Sequence, residues 1–172
     1  MQGIAERLAT MPDILEPWPH GILDDFLPAE VFGELLEALP GITGGPNVQK
    51  VYELPASVTA ILNDETVLNA IRQRHWFQGG HTNIEAVYRR SRLEAHSDRK
   101  DKLWSGLIYL AGDPKGTEFY GADGKLAKTV EWKPNRLVCW SLRRSHEQHA
   151  VPVSDGRWVL AWWILTSKIK GK

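Results

Sequence analysis

The second half of the chain, from Asn83 onward, is a series of short segments rich in β-branched and aromatic residues, separated by turn signals. Short segments bounded by glycine, proline, asparagine or aspartate are typical of antiparallel strands in a sandwich or a jelly roll. The pattern therefore predicts a sheet-rich core over residues 83–168 of the 172-residue chain. The predicted strands are Ile84–Arg89, Trp104–Leu110, Glu118–Tyr120, Thr129–Trp132, Arg136–Trp140 and Trp158–Thr166.

The first half of the chain, residues 1–82, has a different pattern, in which apolar residues recur at helical spacing. One helix is predicted after Pro28, and a second after Asp64, which is placed to cap its N-terminus. The apolar stripes consist of Val31, Leu35 and Leu39 in the first helix and Val67, Leu68 and Ile71 in the second. We expect a single domain of the α+β, mainly β, class, in which N-terminal helices buttress a double-stranded β-helix, or jelly roll.

Charge and hydropathy limit the partners of such a domain. Lys and Arg together number 21, as do Asp and Glu, so the chain lacks the basic excess of a general nucleic-acid binder. No stretch approaches the roughly 18 apolar residues of a membrane span, and the N-terminus is too polar for a signal peptide. The single Cys139 cannot form an internal disulfide. We therefore expect a cytoplasmic protein without a membrane or a general nucleic-acid partner, and the oligomeric state is left open.

Three residues form a candidate metal site. His96 and Asp98 make a His-x-Asp pair, and His149 follows 51 positions after Asp98. Two imidazoles and one carboxylate on one face of iron(II) leave coordination positions open for a co-substrate and for oxygen. The pair alone is weak evidence, because six histidines and 21 acidic residues produce such spacings by chance. The alternative for His96 is a surface histidine paired with a nearby carboxylate.

Arg157 is a candidate binding residue because it opens a strand eight positions after His149, behind a turn at Ser154-Asp155-Gly156. Its guanidinium can form a bidentate pair with a carboxylate close to the metal. The alternative is an exposed strand arginine. Three tryptophans in the same strand favour the inward position.

Together these residues resemble the Fe(II)/2-oxoglutarate-dependent dioxygenases of the prolyl-hydroxylase type. In that family His-x-Asp is followed, after about fifty residues, by His-x-Val, a turn and a basic residue. The resemblance covers roughly residues 87–165, and residues 22–28 resemble the family's opening strand and helix start. It implies that iron(II) is held by His96, Asp98 and His149, that the distal carboxylate of 2-oxoglutarate is bound by Arg157 and Tyr109, and that its keto-acid end is faced by Tyr88.

The resemblance also implies the reaction, which is hydroxylation of an unactivated C–H bond with consumption of O2 and release of succinate and CO2. Asp98 favours hydroxylation, because family members with Gly or Ala at this position chlorinate their substrates. The substrate is expected to be a small molecule or an amino-acid or peptidyl side chain.

Several alternatives remain open. His146 rivals His149 as the distal ligand, although Ala150 and Val151 after His149 follow the family order. A cupin-type metal protein or isomerase that does not use 2-oxoglutarate shares the jelly roll, but this chain lacks the His-x-His of that pattern. A binding module without catalytic activity is a third reading. The basic cluster over residues 89–102 is either a solvated rim or a surface that recognises an acidic group on the substrate.

Overall fold

The computed structural model describes residues 2–40, 48–112, 115–141, 148–152 and 156–166. Within these ranges the chain forms four helices and ten strands. The helices are α1 (Gln2–Thr10), α2 (Ala29–Ala38), α3 (Ala56–Leu62) and α4 (Glu65–His75). The strands are β1 (Gly21–Leu23), β2 (Val48–Val51), β3 (His81–Arg89), β4 (Leu93–His96), β5 (Lys102–Gly112), β6 (Glu118–Tyr120), β7 (Leu126–Thr129), β8 (Leu137–Ser141), β9 (Gln148–Val151) and β10 (Arg157–Leu165).

The strands form two antiparallel sheets. The larger sheet has six strands in the order β1-β8-β5-β10-β3-β2, and the smaller has four in the order β4-β9-β6-β7. Strand β10 lies between β3 and β5 and pairs with both along its length. The predicted mainly β architecture with antiparallel sheets and few helices is confirmed.

Strand β10 separates two apolar cores, because successive side chains of a strand point to opposite faces. Trp158, Leu160, Trp162 and Ile164 pack with the apolar faces of the helices. Val159 and Ala161 pack in a second cluster with Phe119 and Trp140, which belong to different sheets. The helices therefore cover the outer face of the larger sheet, and the second core lies between the two sheets.

Local sequence accounts for the start of α4. The Asp64 carboxylate accepts hydrogen bonds from the backbone N–H groups of Thr66 at 2.9 Å and Val67 at 3.2 Å, as expected of an N-cap. The helix ends at Trp76, which adopts a left-handed conformation with φ of 56°. None of the described helices is both long and apolar enough to span a membrane.

One predicted strand was wrong in its position. Residues 129–132 were expected to form a strand, but β7 spans Leu126–Thr129 and its side chains are mostly exposed. The apolar pattern of the segment comes from Val130 and Trp132, which pack in the second core between the two sheets. Val130 is buried, and Trp132 stacks on Tyr109 with ring centroids 4.5 Å apart.

Candidate metal centre and its cavity

The two histidines of the candidate site lie opposite each other on neighbouring strands. Strands β4 and β9 pair antiparallel with His96 opposite His149, and opposed residues share one face of a sheet. The two imidazole centroids are 4.4 Å apart. Asp98 follows the end of β4 by two positions, and one ligand atom of each residue lies within 4.8 Å of the others. The structure thus brings together the three residues that the sequence predicted as ligands.

The Asp98 carboxylate is held by three donors from two strands of the larger sheet. Its Oδ2 accepts from the Ser105 hydroxyl at 2.8 Å and from the Trp140 indole N–H at 3.1 Å. Its Oδ1 accepts from the Lys102 ammonium at 2.5 Å. Burial by itself raises the pKa of Asp98, but neighbouring His149 and Lys102, with hydrogen bonds from Lys102 and Ser105, hold this pKa below its ordinary value. The group is therefore an ionised carboxylate at neutral pH.

Both imidazoles can present a ring nitrogen to a metal. Burial lowers the pKa of His149 to about 4, so this ring is uncharged at neutral pH. The His96 Nδ1 lies 2.8 Å from the Glu94 carbonyl, which can only accept a hydrogen bond. That contact puts the proton on Nδ1 and leaves the lone pair of the neutral ring on Nε2.

The donor set fits a divalent metal such as iron(II). Two imidazoles and one carboxylate are N and O donors, which suit iron(II), whereas soft metals select thiolate-rich sets. Donors that each lie about 2.1 Å from one ion are at most about 4.2 Å apart, so small torsional changes would close the present set around it.

A cavity of about 170 Å³ opens beside the three candidate ligands. Its apolar walls are Val87 of β3, Leu107 of β5, and Val159 and Ala161 of β10. Charged side chains also reach it from both ends, and these are Lys50, Glu85, Arg89, Lys102 and Arg157. The cavity is therefore a largely apolar space with charged groups at defined positions, which is the usual character of a small-molecule site.

Arg157 lies inside the protein, with only 1% of its surface exposed. One of its N–H groups donates to the Lys115 carbonyl. The guanidinium carbon lies 5.1 Å from the ring centroid of Trp132 and 5.6 Å from that of Tyr109. These contacts fix the orientation of a cation that borders the same cavity as the candidate metal ligands. The inward position expected for Arg157 is thus the one observed.

Tyr109 contacts Arg157 but does not itself line the cavity. Its hydroxyl donates to the Thr117 hydroxyl at 2.8 Å and accepts from the Thr117 backbone N–H at 2.9 Å. Burial raises the pKa of Tyr109, so the phenol stays protonated. The ring thus supports the guanidinium of Arg157, and the hydroxyl is engaged by Thr117.

Tyr88 is a correction to the expected site. Its neighbours Val87 and Arg89 line the cavity, so the alternation of a strand places the Tyr88 side chain on the opposite face. There its ring centroid lies 5.3 Å from that of Trp158, within the core beneath the helices. The sequence placed Tyr88 in the correct strand but on the wrong face.

Several cavity residues were not identified as site residues from the sequence. Glu85 could have been noticed, because it interrupts the apolar stretch Ile84–Tyr88 at an inward position. Lys50 comes from β2, a strand that no sequence pattern indicated. Within the basic cluster, Arg89 and Lys102 line the cavity, whereas Arg92 pairs with Glu94 and Glu118 on the surface. The rival ligand His146 lies outside the described residues.

No protein-family model and no curated protein matches the sequence. Solved structures do match the fold. A Pseudomonas putida prolyl-4-hydroxylase has a TM-score of 0.66 at 18% identity, over 96% of this chain and 98% of that one. An oxidoreductase of the 2OG-Fe(II) oxygenase family from Burkholderia pseudomallei has a TM-score of 0.61 at 15% identity, over 95% and 89% of the two chains.

A viral collagen prolyl hydroxylase from Paramecium bursaria Chlorella virus-1, solved as a 2OG complex, has a TM-score of 0.58 at 14% identity, over 86% and 96% of the two chains. These similarities extend over nearly the whole of each chain. They agree with the resemblance that the His-x-Asp and distal histidine motif indicated. The chain therefore has the fold of the prolyl hydroxylases and related 2OG-Fe(II) oxygenases.

Proposed function

We propose that this protein is an iron(II)- and 2-oxoglutarate-dependent oxygenase that hydroxylates an unactivated C–H bond, releasing succinate and CO2. The observation that carries the proposal is the convergence of His96, Asp98 and His149 beside a cavity that also contains the buried cation Arg157. The fold supports it, since the solved structures that match include 2OG-Fe(II) oxygenases. We also propose that strands β3 to β10 form a jelly roll within a single domain, which the strand orders of the two sheets support.

The three ligand residues would hold the metal in a fixed orientation. Iron(II), when bound, supplies the oxygen chemistry that amino-acid side chains cannot perform. Ser105 and Trp140 hold Oδ2 of Asp98, and Oδ1, which now contacts Lys102, is the oxygen that would be available to a metal. The Glu94 carbonyl fixes the His96 ring in the tautomer that presents Nε2.

Arg157 would bind the distal carboxylate of 2-oxoglutarate. A guanidinium forms two parallel charge-assisted hydrogen bonds to a carboxylate, and a buried site strengthens them because water does not compete. Tyr109 was expected to bind this carboxylate as well, but its hydroxyl is held by Thr117, and we propose instead that its ring supports the guanidinium. Arg89 lies opposite Arg157 in the β3–β10 pairing and lines the same cavity, so it adds positive charge at this co-substrate end.

The apolar walls would limit water in the space between Arg157 and the metal ligands. A dry site would protect the oxygen chemistry that iron(II) would supply from side reactions with water. The substrate class at this stage is a small molecule or an amino-acid or peptidyl side chain. A peptidyl substrate has a parallel in a Trichoplax adhaerens prolyl hydroxylase, which has the same fold and was solved with a hypoxia-inducible-factor peptide fragment.

The proposal is tested by adding iron(II) and then 2-oxoglutarate to the protein without oxygen. We expect one iron per chain and the weak visible charge-transfer band of a chelated keto acid. His96→Ala, Asp98→Ala and His149→Ala should each lose metal binding, while His146→Ala should keep it. Asp123→Ala, at an exposed carboxylate that is not among the residues lining the cavity, is the matched control. Bound metal without the band would instead favour a cupin-type protein.

A further inference from the structure

A second cavity of about 240 Å³ adjoins the first on the side away from Arg157. The two cavities share Lys50, Glu85, Lys102 and Trp163. Together they form one trough, which runs from Arg157 past the candidate metal ligands to Trp163 and outward. The pairing of β10 with β3 gives this direction, because Arg157 lies opposite Arg89 at one end and Trp163 opposite Asn83 at the other.

The charges in the outer part of the trough are all paired, but one of them is paired with a candidate metal ligand. Lys50 pairs with the buried Glu85 at 2.7 Å, and Arg99 pairs with Asp101 at 2.5 Å. Among the described residues that line this part, the remaining charged group is Lys102. Its partner is Asp98, which the proposed function assigns to iron.

Lys102 lies between the metal site and the outer cavity. Its side chain is only 15% exposed, and its ammonium is 4.3 Å from the ring centroid of Trp163. The same ammonium contacts Oδ1 of Asp98, the oxygen left for a metal once Ser105 and Trp140 hold Oδ2. A divalent ion held by Asp98 would repel the ammonium at this short range and would take over its anion. Lys102 would then be a largely buried cation beside Trp163, and a new negative partner would stabilise it.

We propose that this partner is the substrate, and that the substrate is a small carboxylic acid. Its carboxylate binds the Lys102 ammonium, and its apolar portion lies against the Trp163 indole, next to the metal. The inference rests on the proposed function, because it needs the metal to occupy Asp98. It adds a specificity-determining residue and a chemical class to that function.

The test measures binding to protein loaded with Mn(II) and saturating 2-oxoglutarate in the absence of oxygen, so that Arg157 is already occupied. Calorimetric titrations use straight-chain and phenyl-substituted carboxylic acids of four to eight carbons and the corresponding amides. We expect the tightest-binding acid to bind at least tenfold more tightly than its amide. Lys102→Met should remove this difference, and Lys102→Arg should restore part of it.

Lys125→Met is the matched control, since the Lys125 side chain is 84% exposed and lies outside the trough. It should keep the preference for acids, and unchanged thermal unfolding of the Lys102 variants shows that they fold. Equal binding of acids and amides, no binding by any acid, or a preference that survives Lys102→Met would overturn the inference. Mn(II) and 2-oxoglutarate are titrated first, and failure at that step counts against the proposed function instead.

Discussion

Lys102 and a divalent metal compete for the same oxygen of Asp98. The ammonium lies 2.5 Å from Oδ1, and both groups are shielded from solvent, so the metal must displace a positive charge before it binds. Lys102→Met removes the competitor and should raise the affinity for Mn(II) about tenfold, equivalent to about 1.4 kcal/mol. An anaerobic Mn(II) titration checks this, with Lys125→Met as control. Unchanged Mn(II) binding would show that Lys102 does not compete with the metal. Weaker binding would show that Lys102 supports the metal site.

Arg157 should act on 2-oxoglutarate and not on the metal. Arg157→Ala leaves the distal carboxylate of the co-substrate without its partner, a loss of about 2–5 kcal/mol if that carboxylate stays desolvated. The expected result is a KM for 2-oxoglutarate raised at least thirtyfold with nearly normal Fe(II) binding. Arg157→Lys keeps the charge without the planar fork of the guanidinium, so its KM for 2-oxoglutarate should lie between those of wild type and Arg157→Ala. An unchanged KM after Arg157→Ala would remove the anchor assignment.

The residues of the candidate site differ in how far sequence could identify them. His96, Asp98, His149 and Arg157 were identifiable because their chemistry and spacing form a pattern along the chain. Lys102 was visible only as one member of a basic cluster, since its contact with Trp163 depends on how β5 and β10 pair. Tyr88 was assigned to the wrong face because a one-residue shift in a strand reverses the side chain, and residues 85–88 are buried on both faces of the strand.

At the scale of elements, the turn before β8 joins the sheet to the N-terminal segment. Asn135 has a left-handed backbone with φ of 60°. Its side-chain amide donates to the Leu27 carbonyl at 2.8 Å, and its side-chain oxygen accepts from the Leu27 N–H at 2.9 Å. Both bonds are buried, so their loss leaves the Leu27 backbone without these partners.

Asn135→Ala and Asn135→Gly separate these two contributions. Both variants lose the hydrogen bonds to Leu27, at a cost of about 2–3 kcal/mol in the free energy of unfolding. In Asn135→Ala the free energy of unfolding falls by about a further 1 kcal/mol, because alanine must adopt the left-handed conformation that glycine adopts freely. Urea unfolding should therefore rank wild type above Asn135→Gly, and Asn135→Gly above Asn135→Ala. Equal stability of the two variants would mean that the backbone conformation relaxes.

The elements that sequence predicted are those with a strong local pattern. α4 has a capping aspartate and an apolar stripe, and β10 is a long apolar strand. β4 was not predicted, since it is only four residues long and its side chains are half-buried or exposed. Its position is set by pairing with β9, an interaction distant in sequence. The two strands that carry the histidine pair are thus defined by tertiary contacts.

At the scale of the whole molecule, an ion-pair cluster joins the segment after β1 to the turn before β8. The Asp24 carboxylate accepts from Arg136 at 2.6 Å and from Lys133 at 3.0 Å. The hydrogen bond from Arg136 is the main cause that lowers the pKa of Asp24 from 3.8 to about 2. The carboxylate is 39% exposed, so solvent screens these pairs and their net value is about 1 kcal/mol.

The cluster should make part of the protein's stability dependent on acid pH. Because the pKa of Asp24 is lower in the folded state, its contribution is complete above the unfolded value near 4 and is lost as the pH falls through about 2. Asp24→Asn removes the charge at every pH. The free energy of unfolding of wild type should therefore exceed that of this variant by about 1 kcal/mol at pH 6 and by much less at pH 2. Urea unfolding at the two pH values measures the difference in stability between the two proteins. The titration of the other carboxylates is common to both and cancels in this difference. Asp123→Asn, where the carboxylate lies 3.6 Å from the Lys125 ammonium on an exposed turn, should show little change at either pH. A gap between wild type and Asp24→Asn that stays constant from pH 6 to pH 2 would mean that Asp24 contributes through packing or neutral hydrogen bonds and not through its charge.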